Sequence, residues 1–317
     1  MIRKQSTKGM SREEWVNSRH ASIGGSDAAA VLGLGAYNSA YALWAEKTGK
    51  MVPEDISDKE AVRLGNDLEQ YVAERFMEAT GKKVRRDNNI ITNDQYPFAH
   101  ANVDRLVVGE NAGLECKTTS SWEIAQKLKS EEIPDQWYCQ MTHYMMVTGA
   151  ERWYLAALVF GVGFYWFEIK RDEAEITALS MAEEEFWDRV EKRIAPPVDG
   201  LKATGEALKT IFRDSNPGSV ADLTMVGHHI ECYNELTRQI KDLEEQQAAH
   251  ENAIKEFMGF SESGSYGDTK ITWKTQSRRT FDKDSFEAAN GKIADCYYKT
   301  SQTRTFRVSR KEKKSKC

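Results

Sequence analysis

A chain of 317 residues with 44 Lys and Arg against 49 Asp and Glu carries a formal net charge of −5 at neutral pH. That length has room for one large domain and an appendage. The acidic balance excludes a generally basic coat for nucleic acid, although lysines and arginines can still gather along a channel. No apolar run reaches membrane-spanning length, and Met1-Ile2-Arg3-Lys4-Gln5 is not followed by a signal-peptide core. The five cysteines, at 116, 139, 232, 296 and 317, are odd in number and irregularly spaced. A disulfide framework is therefore not expected and a reducing compartment is. The same spacing offers no compact set of cysteines for an iron–sulfur cluster.

Between Trp15 and Gly33 the chain opens a helix. Gly24 and Gly25 permit a tight turn, Ser26 or Asp27 can cap, and Ala28 to Leu32 are helical and apolar. A helix start with exposed N–H groups, the Ser26 hydroxyl and the nearby Arg19 could hold a phosphate. An ordinary capped helix with a surface arginine fits the same residues. Tyr41 to Gly49 reads as a helix ending at glycine. From Arg63 to Phe76, apolar residues at 64, 68, 72 and 76 predict a buried helical stripe, with Glu69 at its boundary and able to reach a site. Lys82, Lys83, Arg85 and Arg86 form either a basic cluster facing a ligand or a solvated turn after Gly81.

The segment from Val103 to Thr118 is the most informative. Apolar-rich runs flank a turn from Gly109 to Gly113, which reads as a β-hairpin. Glu115 and Lys117 are two apart on the second strand and point to one face, and Asp104 on the first strand lies within reach. Two carboxylates beside one ammonium suit a hard divalent cation. The carboxylates hold it, the cation stabilises charge on a phosphate, and the lysine positions or deprotonates water. In a chain that is 29% charged the same spacing also arises by chance on an exposed hairpin.

Ile133 to Gly149 reads as a helix with a proline near its start and a glycine at its end. Trp137, Met141, Tyr144 and Met145 give its core face, with Gln136, Gln140 and His143 on an adjacent stripe. Strands are expected over 151–159 and 163–169, then a charged helix from 173 to 193, which Pro196 and Pro197 cannot continue. A second long helix is expected over 220–258, spanning roughly 55–60 Å. Its seam of Val226, Ile230, Tyr233, Leu236, Ile240, Leu243, Ile254 and Phe257 is coiled-coil-like, weakened by Gln247 and His250. His228 and His229 lack a second ligand pair and read as helix surface. Alternating runs over 269–274 and 304–308 predict strands, and 309–317 a basic disordered tail.

The spacing Asp104-x10-Glu115-x-Lys117 resembles the PD-(D/E)XK nuclease superfamily, with Val103 in place of the proline that precedes the aspartate. Further pieces are Arg19 with Ile23 to Ala29, Leu43-Trp44-Ala45-Glu46-Lys47-Thr48-Gly49, and Gly65 to Glu69. Ile133-Pro134, Gln140, His143 to Met145 and Val147 to Gly149 complete the set. In order and spacing these resemble the YqaJ viral recombinase family, relatives of the lambda exonuclease, over the first 170 residues. The resemblance implies an α/β, restriction-endonuclease-like core with a central mixed sheet flanked by helices over 1–200. A helical and β C-terminal extension follows over 201–317. It implies Mg²⁺, with Mn²⁺ as substitute and two ions per site, held by Asp104, Glu115, the main-chain carbonyl of Cys116 and Glu69. It further implies Lys117 as the residue that activates water, Gln140 beside the scissile phosphate, and Arg19 and Ser26 gripping a terminal 5′-phosphate.

The implied activity is 5′→3′ resection of double-stranded DNA ends to 3′ single strands. With it come a trimeric ring around DNA, a phage single-strand annealing protein as partner, and the cytoplasm of a bacterial host carrying a phage or prophage. The alternative enzyme is a structure-specific or endonucleolytic nuclease of the same superfamily, which would have no end for Arg19 and Ser26 to hold. A non-catalytic DNA-end-binding recombination scaffold would require that the metal site fail to assemble. The residues of the extension assign it no role, and contact with DNA or docking of a partner both fit.

Overall fold

The computed structural model describes residues 1–35 and 38–293, with Tyr297, Lys299 and Phe306 to Val308. Its architecture follows from one strand, β7 (Ala112–Thr119). This strand lies in the middle of a five-stranded sheet between β6 (Arg105–Val107) and β8 (Arg152–Val159), with β3 (Val84–Arg86) and β9 (Gly163–Lys170) at the edges. β7 and β8 are parallel, register Ala112↔Arg152 to Thr119↔Val159, and every other pair is antiparallel. A parallel pair needs a crossover, here α5 (Trp122–Lys129) and α6 (Asp135–Thr148).

The expected apolar run at 151–159 is buried without a break from Trp153 to Ala157 because both faces of the sheet are covered. Trp153, Leu155 and Ala157 face the cluster that contains Met141, Tyr144 and Met145 of α6. Tyr154 and Ala156, with Ala112 and Leu114 of β7, face Val72, Ala73 and Phe76 of α4 (Glu60–Thr80). Side chains on a strand alternate between faces, so Glu115 and Lys117 lie on the α6 side. α6 itself is buried nearly all round, from Trp137 to Val147 apart from Tyr138. Gly149 ends it in a left-handed conformation, φ +68°, donating to the Met145 carbonyl. Burial of α4 is confined to its second half, and Leu64 of the expected stripe is 37% exposed.

A second sheet runs β1 (Ile2–Ser6), β4 (Asn89–Asn93), β5 (Ala99–Asn102), β2 (Ile23–Gly24), with only β2–β5 parallel. The chain leaves β5 and reaches β6 through Val103 and Asp104, so the aspartate sits at the junction of the two sheets. The polar helix α1 (Arg12–His20) precedes β2, begun by a capping box between Ser11 and Glu14. Then come the short α2 (Ala28–Val31) and α3 (Ala40–Lys47). Asp27 occupies the cap position of α2 but makes no side-chain cap, and Ser26 is likewise engaged elsewhere. α7 (Glu173–Glu191) packs on α6, and α8 (Lys202–Ile211) on α3, where the Thr204 hydroxyl lies 2.7 Å from Ser39 Oγ.

Two compact units result, 1–213 and 214–317. The first extends past residue 200, since α8 packs within it. In the second, α9 (Gly227–Met258) starts later than expected. Asp222 Oδ1 captures the N–H and hydroxyl of Thr224, and a single 3₁₀ turn intervenes. At 32 residues α9 is about 48 Å long, and none of its seam residues is buried. β10 (Ser263–Tyr266) pairs with β11 (Thr269–Thr272), and α10 (Lys283–Asn290) follows. Of the strand expected at 304–308, Phe306 to Val308 are not a strand. Arg304, Thr305 and the basic tail 309–317 lie outside the described residues, as do Cys296 and Cys317. Cys116, Cys139 and Cys232 are free thiols. Among the described residues no helix is long and apolar enough to cross a membrane.

The central strand leaves no room at Gly113. A Cβ there would lie 2.2 Å from Trp153 Cζ2, and that indole is fully buried. Gly113→Ala should cost about 1–3 kcal/mol through overpacking. Urea unfolding should show a lower midpoint with an unchanged slope; an unshifted midpoint would mean that the indole relaxes freely.

Candidate active site

The ladder between β6 and β7 is short, pairing Arg105 with Leu114 and Leu106 with Gly113. Beyond it the Cys116 N–H is taken by Asp104 Oδ2 at 2.9 Å, which holds the aspartate against the strand that carries Glu115 and Lys117. On the α6 side, Lys117 Nζ lies 2.7 Å from Glu115 Oε1 and donates to Gln140 Oε1 at 2.8 Å. Gln140 Nε2 donates to the same Glu115 oxygen at 2.8 Å and to the Tyr144 hydroxyl at 2.8 Å. Gln140 and Tyr144 are four apart on α6 and share a face. Asp104, Glu115, Lys117 and Gln140 are thus brought together as the sequence suggested.

The charges in this pocket do not balance. Burial, then the neighbouring Glu115 charge, pushes the Asp104 carboxyl well above the usual range, and the Cys116 N–H only partly offsets this. Burial works against the Lys117 charge, but Glu115 outweighs it and raises the ammonium's pKa. Glu115 Oε2 is buried and has no hydrogen-bond partner. Two close carboxylates, one of them with an orphaned oxygen, fit a hard divalent cation. The Cys116 thiol is pushed far up by burial and then by Asp104 and Glu115.

Glu69 is placed differently from expectation. Arg105 stands opposite Leu114 and therefore faces α4. Its guanidinium, 3% exposed, pairs with Glu69 and donates to the Asp104 carbonyl at 2.9 Å and to Gln70 Oε1 at 3.2 Å. Among the described residues no three His, Cys, Asp or Glu side chains gather as metal ligands. Glu69 adds to the rise of the Asp104 pKa through its charge. The basic cluster is largely spoken for. Lys82 pairs with Glu110, Arg85 lies 3.8 Å from Asp87, and Arg86 lies 3.9 Å from Glu69.

A second group lies beside the first. Arg19 Nη2 donates to Ser26 Oγ at 3.1 Å, and its guanidinium lies over the Trp15 ring at 4.7 Å. Pairing of β2 with β5 seats the turn from Gly24 to Asp27. Gly25 is sterically required and Gly24 is tight. A Cβ on Gly25 would lie 2.5 Å from Tyr144 Cε1, and one on Gly24 would lie 3.1 Å from His100 Nε2. The turn therefore rests on the ring whose hydroxyl accepts from Gln140. Burial raises the Tyr144 pKa well above its ordinary value, and Glu115 and Asp104 add to it while Arg19 opposes. That phenol accordingly lies within the field of both groups.

His143 is structural. Its Nδ1 faces Glu183 Oε1 at 2.7 Å and its Nε2 faces the His100 carbonyl at 2.9 Å. Both ring nitrogens face oxygen atoms, an arrangement that favours the doubly protonated ring. Burial opposes that charge, and Glu183 prevails and raises its pKa. His100 is pushed down to about 3, by burial and then by His143, and lies 2.8 Å from the Ser22 hydroxyl. Sequence reasoning missed Arg105, Glu183, His100 and the role of Tyr144. The sequence does not mark the pairings of Arg105, Glu183 and His100, because they join residues far apart in the chain. His228 and His229 lie exposed on α9, as expected.

A family model described as the YqaJ-like viral recombinase domain matches residues 14–151, a stretch that contains every side chain of both groups. The uncharacterized protein YqaJ of Bacillus subtilis (strain 168) is 39% identical over 302 residues, covering 94% of this chain and 93% of that protein. This chain belongs to the YqaJ-like viral recombinase family. Among solved structures, an alkaline exonuclease (LHK-Exo) from Laribacter hongkongensis aligns with a TM-score of 0.49 and 22% identity, over 57% of this chain and 94% of that one. A phage related exonuclease from Haemophilus somnus 129PT aligns with a TM-score of 0.38 and 14% identity, over 56% and 99%.

The His143–Glu183 pair should set a pH dependence of stability. The folded pKa of His143 lies above its unfolded value near 6.5. Its contribution is therefore full below about pH 6.5 and is lost as pH rises through the folded value. Glu183→Gln should cost about 3–5 kcal/mol at pH 6, with the gap to wild type narrowing toward pH 9. A constant gap across that range, measured by denaturant unfolding, would show that the ring is neutral.

Proposed function

We propose that this protein is a divalent-cation-dependent deoxyribonuclease that resects double-stranded DNA ends in the 5′→3′ direction, leaving 3′ single strands for recombination. The observation that carries the reading is the Asp104–Glu115–Lys117–Gln140 constellation with its orphaned carboxylate oxygen. Asp104 and Glu115, with the main-chain carbonyl of Cys116, would hold Mg²⁺ or Mn²⁺, as one ion or a pair. Such an ion supplies Lewis-acid stabilisation of the phosphate and a more acidic water. Lys117, aimed by Glu115 and Gln140, orients or deprotonates the attacking water. Gln140, fixed between Lys117, Glu115 and Tyr144, sets the spacing of that pair and faces the scissile phosphate. Arg105, paired with Glu69, stands behind Asp104 and fixes its main chain through the carbonyl; Glu69 would complete the carboxylate set around the ion.

Arg19 and Ser26 favour an exonuclease over an endonuclease. A terminal phosphate is a dianion with an oxygen that an internal diester lacks, and an arginine fork beside a hydroxyl suits it. Held there, the end determines which bond meets the carboxylates, so digestion is stepwise. The family resemblance adds a trimeric ring around the duplex, a phage annealing protein as partner, and the bacterial cytoplasm as the place of action.

Cleavage should require Mg²⁺ or Mn²⁺, vanish in Asp104→Ala and Glu115→Ala, and fall on the order of 10²–10⁴-fold in Lys117→Ala with folding retained. The assay is digestion of a duplex labelled in turn at each end. Full activity in EDTA, or a near wild-type rate for Lys117→Ala, would sink the mechanism. Arg19→Ala should lose about 1.5–3 kcal/mol of transition-state binding, mostly on 5′-phosphorylated duplex. An equal loss on 5′-hydroxyl duplex would make Arg19 a general contact and leave an endonuclease as the better reading.

A further inference from the structure

Lys47 belongs to the 43–49 motif, and nothing in the mechanism above uses it. It lies at the last residue of α3 with a side chain only 6% exposed. An ammonium withdrawn from water is costly unless its hydrogens are satisfied. Here all three are. Nζ donates to the Arg19 carbonyl at 2.8 Å and to the Ser22 carbonyl at 2.8 Å, and lies 2.9 Å from Asp27 Oδ2. Three donors meet three acceptors, which exhausts the inventory of a lysine.

The choice of acceptors is informative. The Arg19 carbonyl lies in the last turn of α1, where carbonyls have no partner within the helix and favour a cation. The Ser22 carbonyl immediately precedes β2. Asp27 follows Ser26, and its Oδ2 also accepts the Gly24 N–H at 3.1 Å, closing the turn on itself. One buried ammonium thus fixes the backbone under Arg19, the start of β2, and the turn that presents Ser26. The result is that Arg19 and Ser26, on separate elements, meet at 3.1 Å.

We propose that Lys47 is the positioning residue that sets the Arg19–Ser26 cradle, and through it the selectivity for a 5′-terminal phosphate on duplex DNA. The inference rests on the reading of Arg19 and Ser26 as the end-binding pair. Lys47 does not touch the phosphate, because its three hydrogens are spent inside the protein. A packed apolar side chain would hold these elements together about as firmly as a buried ion pair, but without directing them. What the ammonium adds is direction, since it accepts only one arrangement of three oxygens.

The test compares wild type, Lys47→Met, Lys47→Gln and Arg19→Ala on two duplexes that differ only in a 5′-phosphate or a 5′-hydroxyl. Each preparation is read on both substrates, so the ratio of rates is independent of the fraction folded. Lys47→Met should lower the phosphate-to-hydroxyl ratio at least tenfold, mainly by raising KM on the phosphorylated duplex. Lys47→Gln keeps two of the three donors and should fall between. A merely structural lysine would lower both rates together and leave the ratio at its wild-type value, which would overturn the proposal. If Arg19→Ala lowers the ratio and both Lys47 variants keep it, the positioning role alone fails. If Arg19→Ala keeps the wild-type ratio, the end-binding reading fails, and the proposal with it.

Discussion

The parallel pairing of β7 with β8 is the constraint on which the rest depends. A central strand covered on both faces has no neutral side. One set of alternating residues must pack on α4 and the other on α6. Glu115 and Lys117 are therefore carried into the interior by the same alternation that buries Leu114, and they meet whatever α6 presents at that level. It presents Gln140, an amide that can donate to the carboxylate and accept from the ammonium at once. A one-residue slip of β7 against β8 would exchange the faces and dismantle the site.

Charges inside this protein are handled by pairing across elements. Lys47 and Asp27, Arg105 and Glu69, and His143 and Glu183 each join two segments of the fold. Such pairs add little net stability over well-packed apolar residues, but they restrict geometry. Asp104 is the exception among the buried carboxylates of the site. A backbone N–H and the more distant Lys117 charge answer it, against burial and two other acids nearby. Beside it, Glu115 Oε2 is buried without a partner, and under the proposed function a divalent cation would answer both carboxylates.

Much of this was legible in the sequence. The 103–118 hairpin, α6, β8, β9 and α7 announce themselves through period and through the glycines and prolines that stop them. α1 begins at the Ser11–Glu14 capping box, a signal the sequence reading passed over, and its polar sequence gives no apolar stripe to read. β2 has two residues and exists only because β5 lies beside it. The short strands β3 to β5 are fixed by their partners, as is common for segments of three to five residues. At the site, the acids and the lysine could be read locally. The capture of Glu69 by Arg105 could not, because it depends on which face Arg105 takes opposite Leu114. The overestimate of α9 at its start has a local cause, the Asp222 side chain competing for the Thr224 N–H.

The close approach of Gly25 to Tyr144 has a consequence for how this protein can change over generations. The turn that offers Ser26 and the ring that steadies Gln140 share one surface with no slack between them. Variation at position 25 cannot be absorbed locally; it must be answered by a smaller residue at 144, and that removes the hydroxyl on which Gln140 leans. Recognition of an end and cleavage of a bond are often imagined as separable modules, free to drift apart and be exchanged. Under the proposed function they would be inherited here as one block, and among diverging descendants positions 25 and 144 should change together or not at all.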